Sequence, residues 1–303
     1  MASSTDNEAR VVTTYGRRFE VARGPGERLP ARIKGRSLRP VCGDRVAVHP
    51  LNDASDAEWL ITAIQPRTTE LTRPDLRGRT EVLAANVSHL IVVAATKPRP
   101  DWYIVDRYIA AAELMGAGLT IVWNKADVED APSDPQVLED YRALGYPVIP
   151  TSAATGAGLD PLRKTLVGET AIFVGQSGVG KSSLINALVS DLNLRTGEVS
   201  GKSGEGRHTT VNSVLIDLPG GGALIDSPGV RDFAPAIEQP DRVPGGFREI
   251  VTFAAQCRYA NCRHLREPDC AVKAAVESGA IAERRYESYK RLVHLTERLQ
   301  RRR

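Results

Sequence analysis

Apolar and polar positions alternate in short runs over the first part of the chain. Val11-Val12-Thr13-Thr14, Phe19-Glu20-Val21-Ala22, Arg45-Val46-Ala47-Val48 and Trp59-Leu60-Ile61-Thr62 are set apart by Gly24-Pro25-Gly26, Gly35 and Gly43-Asp44. Runs of this kind between turn residues read as strands. Packed this closely within residues 1–66, they predict a small barrel of the OB type. An SH3-like barrel is not distinguished by the pattern alone.

The periodicity then changes. Leu90 to Ala95 is a continuous apolar run, the signature of a strand buried on both faces. Val105, Tyr108, Ile109 and Ala112 recur at helical spacing until Gly116. Leu119 to Trp123, Pro147 to Ile149 and Ala171 to Val174 are further apolar strands, with a helical stretch before the last. Strands alternating with helices predict a parallel sheet covered on both faces, assigned to residues 67–235. Residues 236–303 form a third, helical unit. Its stripe of Tyr289, Leu292, Leu295 and Leu299 predicts a packed helix face, and Arg301-Arg302-Arg303 a frayed end.

Composition adds bounds. The 303 residues are 42% hydrophobic and 25% charged, ordinary for a globular chain of two or three domains. No apolar run approaches the ~18 residues of a membrane span, and Met1 to Glu8 is polar with no signal core. The expectation is a cytoplasmic monomer with no membrane partner. The net charge is +3, but Arg10 to Arg45 holds ten Lys or Arg against Glu20, Glu27 and Asp44. That asymmetry marks a candidate polyanion surface, or a solvated basic face.

Gly175-Gln176-Ser177-Gly178-Val179-Gly180-Lys181-Ser182 matches G-x-x-x-x-G-K-[ST]. Glycines let backbone N–H groups turn inward around phosphates, and the following helix aims its positive end at the same anion. Lys181 reaches the β- and γ-phosphates, and Ser182 offers a hydroxyl to Mg²⁺. The strand Ala171 to Val174 before the loop and the helix after it supply the context that the motif needs.

Two more elements follow strand ends. Asn124-Lys125-Ala126-Asp127 closes the strand Leu119 to Trp123. The Asp127 carboxylate can accept from guanine N1–H and its 2-amino group, donors that adenine does not present there. Lys125 can lay its stem over the base. Alone, the tetrapeptide reads more readily as a helix N-cap at Asp127. The strand end Val148-Ile149-Pro150 delivers Thr151-Ser152-Ala153, small residues whose N–H groups can meet the guanine carbonyl. Downstream, Asp226 fits the Mg²⁺-supporting carboxylate and Gly229 a γ-phosphate contact. The glycine-rich stretch from Arg195 to Thr210 reads as a switch, in which Thr209 or Thr210 caps Mg²⁺.

The order is unusual, because Asn124 and Ser152 precede Gly175. A circular permutation accounts for it without moving any loop off its strand. It also sets the second switch directly before the third unit, where nucleotide state could reposition that unit. The water-orienting glutamine of Ras-type enzymes is Val230 here, so intrinsic hydrolysis is expected to be slow. His208 is the nearest candidate catalytic group.

Cys257-x₄-Cys262-x-His264-x₅-Cys270 supplies three thiolates and an imidazole, a closed set suited to one structural Zn²⁺. With Gly175 to Ser183, Gly206-Arg207-His208-Thr209-Thr210, Leu218-Pro219-Gly220-Gly221-Gly222 and Asp226-Ser227-Pro228-Gly229, the chain resembles the ribosome small-subunit-dependent GTPase A family from about residue 10 onward. The resemblance implies an OB barrel, a circularly permuted P-loop GTPase domain of α/β class and a zinc domain. It further implies a GTP-hydrolysing factor in late maturation of the small ribosomal subunit, bound to its rRNA and stimulated by it. A third threonine often found in the family is Val211 here, and a nearby histidine is Asn212. An alternative within the same chemistry is a GTP switch acting on a protein effector or another RNA.

Overall fold

A computed structural model describes residues 7–35, 37–51, 58–74, 80–128, 135–196, 213–227, 237 and 239–301. His208, Thr209, Thr210, Gly229 and Val230 lie outside the described residues.

Five strands open the chain: β1 (Glu8–Tyr15), β2 (Arg18–Ala22), β3 (Leu29–Ile33), β4 (Arg45–Pro50) and β5 (Trp59–Ile64). They run in the order β1-β2-β3-β5-β4, with β3 parallel to β5 and β4 closing onto β1. This order settles the choice left open above, since it is the five-stranded OB arrangement. Alternation does the local work, sending Val11, Val21, Ala31, Val46, Val48 and Ile61 inward to a small closed core. A hairpin of β6 (Glu70–Pro74) and β7 (Thr80–Ala85) follows.

The second layer is built from β8 (His89–Ala95), α1 (Trp102–Met115), β9 (Gly118–Asn124), α2 (Pro135–Ala143), β10 (Val148–Pro150), α3 (Leu159–Leu166), β11 (Thr170–Val174), α4 (Lys181–Thr196), β12 (Ser213–Asp217) and β13 (Ala223–Asp226). The sheet order is β10-β9-β8-β11-β13-β12, parallel except for β12. Helix α1 begins where Asp101 caps the Tyr103 N–H and ends at Gly116, whose φ of 67° is the left-handed C-terminal cap. One face of the sheet buries Leu90, Val92, Ile121 and Ile172 against Ile109 of α1 and Leu138 of α2. The other buries Ile91, Val93, Phe173 and Leu224 against Leu162 and Leu184 of α3 and α4.

The barrel is not a separate bead. β1 also pairs with β12 (Thr13 with Val214, Thr14 with Ser213), so one eleven-stranded sheet runs through both units. Side chains reinforce the seam. Arg28 donates to Leu215 O at 2.8 Å and Arg10 to Thr170 Oγ1 at 2.7 Å. Arg67 grips buried Asp44 through two bonds of 2.7 and 2.9 Å. Cys42 is fully buried in the shared core, and burial pushes its thiol up to about 12, so it stays protonated.

The C-terminal unit holds a 3-10 turn (Pro240–Gly246), α5 (Arg248–Ala254), α6 (Ala271–Glu277) and α7 (Glu283–Gln300). It is clamped to α1 by a buried charge network that no local pattern announced. Arg285, 1% exposed, donates to Glu249 at 2.6 Å and to Asp106 at 2.8 Å. Arg284 and Tyr141 also bond Asp106, at 2.7 and 2.6 Å. Of the predicted α7 stripe, Tyr289 and Leu292 are buried at 1%. Among the described residues no helix is long and apolar enough to cross a membrane.

Candidate functional site

The loops singled out above converge at one edge of the sheet because the strand registers bring them level. Ala95 pairs with Asn124, and Pro150 with Trp123, so Thr151 follows at the height of Asn124. Val174 is level with Val92, and Ile172 with Ile225, which puts Asp226 beside the start of the phosphate loop. This is the C-terminal edge of the parallel strands, where such sheets take their ligands.

Gly175 leaves β11 with φ 139°, and a Cβ there would stand 2.2 Å from Val93 O. Only glycine fits. Lys181, 5% exposed, donates its Nζ to Gly175 O at 2.6 Å and Gln176 O at 2.8 Å. The ammonium is thus held within the loop's own turn. Val179 is buried, while Ser182 and Ser183 stand exposed on the first turn of α4. Asp226 is half-buried at the end of β13, and the next residue, Ser227, accepts from Ser213 Oγ at 2.8 Å.

The base-motif residues are tied directly to this loop. Asn124, 1% exposed, donates Nδ2 to Val179 O at 2.9 Å. Its Oδ1 accepts from the Thr151 hydroxyl at 3.3 Å and the Ala153 N–H at 3.4 Å. Lys125 has φ 61° and donates Nζ to Gly178 O at 2.8 Å and Lys97 O at 2.7 Å. Ala126 N–H bonds Thr151 O at 2.9 Å. Asp127 is exposed at the mouth, while Ser152 is buried and its Oγ accepts from Thr155 N–H at 3.1 Å. The structure therefore brings Asn124 to Asp127, Ser152, Ala153, Gly175 to Ser183 and Asp226 to one edge.

Thr151, delivered by its strand together with Ser152-Ala153, brackets the base motif with its hydroxyl and both backbone groups. Two contributors were not foreseen. Asp101 donates its N–H to Gln176 Oε1 at 3.2 Å. Trp102 stacks on Trp123, the residue before Asn124, at 6.1 Å between centroids. Both need the segment 97–102 folded across the loop, which no local signal announced.

The cysteine cluster is a second site. The ligand atoms of Cys257, Cys262, His264 and Cys270 lie within 4.8 Å of one another. Cys257 Sγ is 3.8 Å from Cys270 Sγ, and each is 3.5 Å from His264 Nδ1. A tetrahedron with Zn–S of ~2.3 Å and Zn–N of ~2.0–2.1 Å has edges of ~3.8 Å and ~3.5 Å. The donors fit zinc. Burial lowers the His264 pKa, which favours the neutral imidazole that a metal requires. The knuckle is held by Glu267, whose carboxylate accepts from the N–H groups of Arg263, Leu265 and Arg266 at 3.1, 2.9 and 3.0 Å.

Comparison with known proteins accords with this geometry. A family-wide sequence model described as RsgA GTPase matches residues 64–235. A relative from Alcanivorax borkumensis, named small ribosomal subunit biogenesis GTPase RsgA, is 44% identical over 94% of this chain and 83% of its own length. One of the same name from Pseudomonas aeruginosa is 40% identical over 95% and 85%. The crystal structure of YjeQ from Thermotoga maritima superposes with TM-score 0.74 at 31% identity, covering 96% of this chain and 98% of that one. YloQ, described as a circularly permuted GTPase, gives 0.71 at 26% identity over 96% and 95%. With the family model covering more than half of its length and relatives of 40–44% identity along nearly all of it, the chain belongs to the RsgA GTPase family of GTP-hydrolysing enzymes.

Proposed function

We propose that this GTPase is an assembly factor in late maturation of the small ribosomal subunit, docked on its rRNA and stimulated by it. The relatives' shared name refers to biogenesis of that subunit. The observation that carries the reading to this chain is the bond from Asn124 to Val179 O. It joins base motif and phosphate loop across the permutation, so both act on one nucleotide.

Asp127 reads the guanine edge, Lys125 covers the base, and Ser152-Ala153 meet its carbonyl. The backbone N–H groups of Gly175 to Ser183 surround the phosphates, and Lys181 leaves its two carbonyls for the β- and γ-oxygens. Mg²⁺, when bound with GTP, neutralises charge developing on those oxygens. Ser182 and one of Thr209 or Thr210 would hold it, with Asp226 behind. Gly229 lies in sequence to contact the γ-phosphate, and His208 to position the water. Cys257, Cys262, His264 and Cys270 would hold one structural Zn²⁺. The protein acts in the cytoplasm as a monomer.

GTP turnover with and without purified small subunits tests the proposal, with large subunits as the control. Strong stimulation by small subunits alone is expected. Equal turnover in all three conditions would overturn the assignment to that particle and favour a different effector.

A further inference from the structure

The face shared by α1 and α7 carries arginines that the GTP site does not use. Arg284, Arg291 and Arg298 are seven residues apart, so they share one side of α7 at intervals of roughly 10 Å. Opposite them α1 presents Tyr103 and Arg107, and the segment entering α1 adds Arg99. Cations and rings interleave. The Arg291 and Arg107 guanidinium carbons lie 5.7 and 5.8 Å from the Tyr103 ring centre, and that of Arg284 lies 5.9 Å from Trp102. The cleft between the helices has a volume of about 560 Å³. Arg99, Arg291 and Arg298 are exposed.

The carboxylates of this face are already engaged. Glu287 pairs with Lys290. Asp101 accepts from the Tyr103 N–H at 3.0 Å, and Asp106 is fully buried beneath Arg284 and Arg285. A positive face therefore remains, with aromatic surface set among its charges. That combination suits nucleic acid, whose phosphates take the arginines and whose bases stack on rings. An acidic peptide would use the charge and leave the rings without a role.

We propose that the arginine–aromatic cleft between α1 and α7 binds single-stranded RNA, with phosphates on Arg99, Arg291 and Arg298 and a base against Trp102 or Tyr103. The inference rests on the proposed function in taking the RNA to be that of the small subunit. It adds a docking face distinct from the barrel. It also brings that RNA next to the nucleotide, because Asp101 in the cleft wall bonds Gln176 of the phosphate loop at 3.2 Å.

The test compares wild type with Arg291→Gln/Arg298→Gln and Arg291→Glu/Arg298→Glu. Binding to labelled oligouridylate and to purified small subunits is followed across a salt series. Losing two contacts should reduce the log–log salt slope for oligouridylate by about 1.4, at ~0.7 per single-strand phosphate. The charge reversal should lower affinity further, about tenfold or more below wild type. Zinc content and thermal midpoint report the fold, and if the reversal loses zinc, the glutamine pair carries the test. Wild-type slope and affinity in the glutamine pair, or no oligouridylate binding by wild type that still binds subunits, would overturn the cleft alone. Competition by polyglutamate, and not by RNA, would reassign it to an acidic protein. Failure of wild type to associate with small subunits at any salt would instead overturn the proposed function.

Discussion

Asn124 is a brace before it is anything else, since its amide spans Val179, Thr151 and Ala153 while Asp127 stays exposed at the mouth. The two positions should fail differently. Asp127→Asn is expected to weaken GTP binding and favour xanthosine nucleotides, because the amide presents a donor to the extra carbonyl. Titrating both nucleotides checks it, and unchanged GTP affinity would remove Asp127 from the base site. Gly180→Ala should act from the other side of the same contact. A Cβ there would stand 2.3 Å from Asn124 Nδ2. Breaking the buried bond costs about 1–3 kcal/mol, read as a fall in GDP affinity of roughly five- to a hundred-and-fiftyfold. The motif letters were legible in the sequence because each follows its own strand. That Gly180 and Asn124 touch was not, since one follows β11 and the other ends β9, with β10 between them in the chain and β8 between them in the sheet.

Among the elements, the Cys₃His knuckle should be separable from the nucleotide site. Pure protein should contain about one Zn²⁺ per chain by metal analysis. Cys262→Ser should lower that content and loosen the C-terminal unit while GDP binding persists, and equal zinc in mutant and wild type would count against the ligand set. Glu267 gives the same element a pH signature. Burial alone would raise its carboxyl pKa, but the backbone N–H groups it accepts from hold the value at about 2. Its unfolded value is ~4.3. The contribution is therefore complete above the unfolded value and is lost as pH falls through about 2. Carbon NMR of this carboxyl should show it still ionised at pH 3.5, and a midpoint near 4 would remove it from the knuckle's support.

For the whole molecule, the basic start of the chain divides into two groups. Arg10 and Arg28 are spent on the seam with the GTPase sheet, and Arg32 pairs with Glu58. Arg17, Arg18 and Lys34 stand exposed, so the polyanion surface is narrower than the count of cations implied. Reversing Arg17, Arg18 and Lys34 to Glu should flatten the salt dependence of subunit binding by ~0.7–0.9 per lost phosphate contact. Reversing Arg32 should matter less. The seam and the clamp also bear on transmission. The C-terminal unit follows β13 and the Asp226 motif in sequence, yet Arg285, Asp106 and Glu249 bind it to α1 through buried charge. Arg285→Met leaves two carboxylates buried without their cation and should cost about 3–5 kcal/mol, measured by denaturant unfolding. Little change would mean that the clamp relaxes onto Arg284.

The amino-acid sequence by itself determined which loops are the candidates for the chemistry, their permuted order and the donor set of the Cys₃His knuckle. Each is a short stretch whose residue types are dictated by what they must hold. The strand order of the barrel, the β1–β12 seam and the Arg285 network were decided only by the tertiary structure. Those contacts join positions far apart in the chain: Thr14 meets Ser213, and Asp106 meets Arg285. Pairings at such separation leave no period in the local pattern, because the backbone bonds that make them are the same for every residue type and the charges involved look like surface charges until they are buried.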